Sequence, residues 1–100
     1  MNNTASSLIQ IEYFGSIRAA AGRDKEAIAY IAITVYDLLF QLAAQGKALE
    51  SELFHADGHT MREDLMLTVN QVIIPPAALP QTLLQPGDTI ALFPVFPGGG

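Results

Sequence analysis

The residues whose pattern most suggests chemistry stand at the end of this 100-residue chain, where Thr89-Ile90-Ala91-Leu92-Phe93-Pro94-Val95-Phe96-Pro97 runs into Gly98-Gly99-Gly100. Glycines contribute little packing and are costly to order, so such a tail is a poor folding element. What it offers is reach: a terminal carboxylate on a thin extended thread that a partner's narrow channel can enclose. A bare glycine triplet fits a frayed terminus equally well. Pro94 and Pro97 cannot donate to a ladder and mark where a sheet should release the chain. Phe93, Val95 and Phe96 carry the apolar pattern into that released segment. They read as an interaction patch, although Phe93 fits the last core position too.

The other reactive side chains are less suggestive. His55, Asp57 and His59 combine ligand types that suit zinc or ferrous iron. Three ligands within five residues around Gly58, with no fourth elsewhere, match no common metal spacing, so a solvated loop and no metal are expected. Glu63-Asp64 is an adjacent carboxylate pair whose side chains must diverge in helix or strand, which speaks against shared acid–base work. The chain has no cysteine. It also lacks a nucleophile elbow and an internal phosphate-cradling glycine loop. No self-sufficient active site is legible.

Composition bounds the partners. Half the residues are apolar and 15% charged, the balance of one small globular domain. The net charge of −5 leaves no concentrated basic face for nucleic acid and favours a partner with a basic surface. Met1 to Ser7 has neither a basic region nor an apolar core, so no signal peptide is expected. The longest apolar run, Ala27 to Tyr36, is too short for a bilayer, and a cytoplasmic protein without membrane contact is expected.

The elements that must position the tail follow from periodicity. Leu8 to Phe14 alternates as a strand with Gln10 and Glu12 outward, and Gly15 ends it. Ser16 to Ala21 is alanine-rich enough for a short helix closed by Gly22. Glu26 to Ile31 reads as a second strand. Thr34 with Asp37 suggests a capped helix start. Val35, Leu38, Leu39 and Leu42 then share one helical face, with Asp37, Gln41 and Gln45 wet and Gly46 as the stop. Ala48 to Phe54 suits a short helix and His55 to Thr60 a loop. Leu65 to Val69 and Val72 to Ile74 form a hairpin pattern about Asn70-Gln71, a signal weakened by Gln where Gly is preferred. Ala77 to Leu84 connects irregularly, and Pro86-Gly87-Asp88 turns into a last strand, Thr89 to Phe93. One mixed sheet with the main helix packed across it, an α+β roll, is the economical arrangement.

At this point the chain resembles a family, the ubiquitin-like β-grasp sulfur carriers, most closely the small subunit of molybdopterin synthase. The likeness rests on Ile11-Glu12-Tyr13-Phe14-Gly15 with Arg18-Ala19-Ala20-Ala21-Gly22, on Thr34-Val35-Tyr36-Asp37-Leu38, on Val69-Asn70-Gln71, and above all on Pro86-Gly87-Asp88-Thr89-Ile90-Ala91-Leu92-Phe93-Pro94 leading to the glycines. The resemblance implies a flexible extension over residues 1–7, a β-grasp domain over 8–97 and a glycine tail over 98–100. It implies that a ubiquitin-activating-like adenylyltransferase uses ATP to adenylate the Gly100 carboxylate, with Gly99 beside it. Sulfur then gives a thiocarboxylate that is donated inside the large subunit of molybdopterin synthase. Phe93, Pro94, Val95, Phe96, Pro97 and Gly98 would meet these partners, and the chain would bind no cofactor and act only with a larger partner. Two features depart from the family: three glycines follow Pro94-Val95-Phe96-Pro97 where two after a Pro-Pro-Val-like segment are usual, and the extension has no family role. Carriers for thiamine, tRNA thiolation or a tungsten cofactor, a ubiquitin-like modifier, and an inert binding module remain alternatives.

Overall fold

The computed structural model describes residues 7–95. In chain order they form β1 (Leu8–Tyr13), α1 (Gly15–Ala21), β2 (Lys25–Ala29), α2 (Val35–Ala43), α3 (Lys47–Leu53), β3 (Leu65–Val69), β4 (Val72–Ile73), a 3-10 segment (Pro76–Gln81) and β5 (Thr89–Pro94). The strands make one five-stranded sheet in the order β2-β1-β5-β3-β4. β1 and β5 pair in parallel, and β1–β2, β3–β5 and β3–β4 pair antiparallel. This is the mixed sheet with helices across it that the resemblance implied, a ubiquitin-like β-grasp.

The periodicities explain the two layers. Ile9, Ile11 and Tyr13 of β1, Leu65 and Leu67 of β3, and Ile90 and Leu92 of β5 are buried beneath the helices. α2 sends down Val35, Leu38, Leu39 and Leu42, the face expected from their spacing, and Leu49 and Leu53 of α3 join the same cluster. Fully burying one such side chain contributes about 1.5–3 kcal/mol, so this cluster outweighs any surface contact. Thr34 caps α2 by accepting the Asp37 N–H at 3.1 Å. Gly22 closes α1 in the left-handed region at φ 78°, its N–H donating to the Arg18 carbonyl at 3.0 Å.

Polar groups at the core's edge are paired. The buried Tyr13 phenol donates to the Glu26 carboxylate, which also accepts from Gln45 Nε2 at 2.9 Å. Burial, reinforced by that carboxylate, pushes the phenol above its usual pKa range.

Several boundaries differ from the sequence expectation. β2 spans Lys25–Ala29 rather than Glu26 to Ile31, because the ladder to β1 runs from Glu12↔Lys25 to Leu8↔Ala29. The backbone beyond that ladder is still tied to it: the Tyr30 N–H donates to the Ser7 carbonyl at 2.8 Å. The connection expected to be irregular contains the 3-10 segment, which buries Leu79. Proline is well tolerated at such a helix start, and Pro76 occupies it. The turn at Asn70-Gln71 forms with both residues at positive φ, 51° and 72°. Asn70 explains how a Gln is tolerated there. Its side-chain amide donates to Asp88 at 2.9 Å, its side-chain oxygen accepts the Thr89 N–H at 2.9 Å, and its own N–H reaches the Thr89 carbonyl at 2.8 Å. Asp88 also accepts the Gln85 N–H at 2.8 Å, so one carboxylate ties the β3–β4 turn to the turn that launches β5.

Candidate functional site: the root of the tail and the open sheet face

β5 is the central strand, and it carries the segment singled out in the sequence. Ile90 and Leu92 point into the core, so the pleat turns Thr89, Ala91 and Phe93 to the face without helices. Phe93 is therefore not the last core residue. It stacks on Phe14, with ring centroids 4.5 Å apart and planes within 5°, and Phe14 remains 40% exposed. Phe14 was not anticipated as a site residue, although it follows Gln10 and Glu12 at the strand's period of two.

Pro94 does not release the chain as expected. It stays in the strand opposite Leu65, and the following Val95 N–H donates to the Asp64 carbonyl at 2.7 Å. Proline forfeits only its own N–H, and its carbonyl and neighbours can still pair. Pro94 also seals a close contact: a Cβ added to Gly15 would lie 2.6 Å from its ring. Gly15 has φ +57°, so both its conformation and its lack of a side chain suit this crossing. Val95 is exposed. Phe96, Pro97, Gly98, Gly99 and Gly100 lie outside the described residues.

The loop before β3 braces this root. Arg62 grips Asp64 with two bonds, Nε to Oδ1 at 3.0 Å and a terminal nitrogen to Oδ2 at 3.2 Å. That contact holds the Asp64 carboxyl below its usual range. Glu63 turns away to His55 at 2.8 Å, so the two adjacent carboxylates diverge as their spacing required. Asp57 is occupied by its own loop, accepting from the Thr60 hydroxyl, the Thr60 N–H at 2.8 Å and the His59 N–H at 2.9 Å. Those bonds, the Thr60 hydroxyl first, drive its carboxyl far below the usual range. Among the described residues no group of three His, Cys, Asp or Glu is arranged to hold a metal.

Beside the tail root, Glu12, Met66, Thr68, Asn70, Gln71, Ile73, Thr89, Ala91 and Phe93 line a depression of about 740 Å³ on the open face. It holds no nucleophile with an adjacent base. What the site offers is a binding surface continuous with the strand that delivers the tail.

The ThiS family model matches residues 11–99. The chain belongs to the ThiS family. It is thus one of the ubiquitin-like sulfur carriers and modifiers. Among solved structures, the ThiS-family chain is similar to the small archaeal modifier protein SAMP1 of Haloferax volcanii, at 27% identity and TM-score 0.77 over 92% of this chain and 99% of that one. A Pyrococcus furiosus protein named as molybdopterin converting factor subunit 1 matches at 23% identity and TM-score 0.69, over 91% and 100% of the two chains. In a BexX/CysO complex from Amycolatopsis orientalis, a chain matches at 15% identity and TM-score 0.65, over 91% and 99%. The last two likenesses are of fold alone. No curated protein matches the chain. Among the described residues no helix is long and apolar enough to cross a membrane.

Proposed function

We propose that this ThiS-family chain is a cytoplasmic sulfur carrier that serves as the small subunit of a molybdopterin synthase. The Gly100 carboxylate attacks ATP on an adenylyltransferase, releasing pyrophosphate and forming an acyl adenylate. Sulfide attacks that acyl carbon and AMP leaves, giving a thiocarboxylate that the large synthase subunit consumes. A carboxylate is a poor electrophile until it becomes a mixed anhydride, and a tail without side chains lets two enzymes enclose the same atom in turn. The observation that carries the reading is the family match, which runs through residue 99 into the glycines. The molybdopterin assignment follows the sequence motifs, and the Pyrococcus protein's name is in keeping with it. Phe93, Pro94 and Val95, with Phe96, Pro97 and Gly98 beyond them, are the proposed partner-binding residues, and Gly99 gives the reacting end its clearance.

SAMP1, named a modifier, favours a second reading in which the activated tail forms isopeptide bonds with lysines of other proteins. Incubation with the organism's adenylyltransferase, ATP and sulfide, followed by intact-mass analysis, separates the two. Sulfur carriage gives a mass gain of sulfur for oxygen, and modification gives conjugates in a lysate. A variant lacking Gly99 and Gly100 withdraws the carboxylate by roughly 7 Å. It should acquire no sulfur while its stability changes by less than about 0.5 kcal/mol. Normal sulfur gain by that variant would remove the tail from the mechanism.

A further inference from the structure

The open face has an ordered layout. Pairing sets Glu12 beside Ala91 and Ala91 beside Thr68, while in the next row Phe14 stacks on Phe93 and Phe93 sits beside Met66. Ala91, the shortest side chain of this block, floors the depression, with apolar walls at Phe93 and Met66. Glu12 is the sole charged residue of the lining among the described residues. Among the described residues nothing bonds to its carboxylate, and Lys25, its register neighbour across β2, forms no ion pair with it. Glu12 is half-buried, and its unpaired carboxylate shares the depression with the apolar side chains of Ala91, Phe93 and Met66, so a cation seated there meets a charge and apolar surface together.

We propose that this depression receives an arginine side chain presented by the protein that activates the tail. Its stem would lie over Ala91 against Phe93 and Met66, and its guanidinium would close on Glu12. Arginine fits better than lysine because its planar, weakly hydrated head pairs with a carboxylate through two parallel bonds and packs on aromatic rings, whereas an ammonium holds its water. The chain's net charge of −5 steers a basic partner surface towards it. The choice of partner rests on the sulfur-carrier reading; the arginine chemistry rests on the face itself.

Two measurements test it. In the first, the isotopically labelled protein is titrated with N-acetyl-arginine amide and with N-acetyl-lysine amide while backbone amide resonances are followed. The arginine probe should shift Glu12, Ala91 and Phe93 saturably, and at least about fivefold more tightly than the lysine probe. The shifts should vanish in Glu12→Gln, which keeps the side chain's shape. Absent shifts, equal response to both probes, or unchanged shifts in Glu12→Gln would each overturn the proposal. In the second, adenylation kinetics are compared. Glu12→Gln should raise KM about tenfold with kcat within about twofold, and Glu12→Asp should recover part of the loss. An unchanged KM in Glu12→Gln counts against the arginine. If the wild-type protein is never adenylated, the functional reading fails, and the titration still decides whether the depression takes an arginine.

Discussion

Gly15 meets two demands at once, a left-handed backbone and a van der Waals approach to Pro94 that leaves no room for a Cβ. Gly15→Ala therefore strains the backbone and drives the Pro94 ring aside. A loss of about 2 kcal/mol or more is expected, read from denaturant unfolding. The same variant should slow tail activation more than stability explains, because Pro94 is the last residue paired in the strand. Asp64 is the facing residue at that root. Its folded pKa lies below the ordinary 3.8 because Arg62 bonds its carboxylate. A depressed carboxyl stabilises the fold above its unfolded pKa, and that contribution is lost as pH falls through the folded value. Stability should therefore decline below about pH 4, and Asp64→Asn should show a shallower acid decline in thermal melts between about pH 2 and 4. An identical acid slope in both proteins would place the titration elsewhere.

At the scale of elements, the sequence carried most of the structure. α2 was legible because Val35, Leu38, Leu39 and Leu42 repeat at the helical period, and β1 because polar residues alternate with Ile9, Ile11 and Tyr13. What escaped was set by contacts distant in the chain. Pro94 reads locally as a strand terminator, yet it stays in register opposite Leu65, and the Val95 N–H bond to the Asp64 carbonyl carries the pairing past it. The Phe14–Phe93 stack joins residues that only the parallel β1–β5 pairing brings together, and no local pattern announces it. The tail's glycines were conspicuous from composition alone, whereas the hollow above Ala91 depends on four strands, β1, β3, β4 and β5, meeting. The β3–β4 turn gives a direct test of one such compromise. Gln71 sits at φ 72° without a side-chain bond of the kind that fixes Asn70. Gln71→Gly should relieve that strain and stabilise the fold by about 0.5–1 kcal/mol, visible as a higher Tm. A lower Tm would mean that the glycine's added freedom in the unfolded chain outweighs the relief.

At the scale of the molecule, the parallel alignment of β1 and β5 at the sheet's centre decides how the protein bears force. Under the proposed function, an enzyme drawing the tail into a channel would pull on Pro94 while the rest of the body rested against the enzyme's surface. β5 is flanked on one side by β1 and on the other by β3, so both ladders resist that pull along their length. Hydrogen bonds loaded in this way must slide together and cannot open one at a time like a zipper. If the opposing force is applied near Leu8, the whole β1–β5 ladder is sheared at once. If partners handle the tail as proposed, the tether is anchored in a strand paired on both sides, and tension on it would be borne without unravelling the domain behind it.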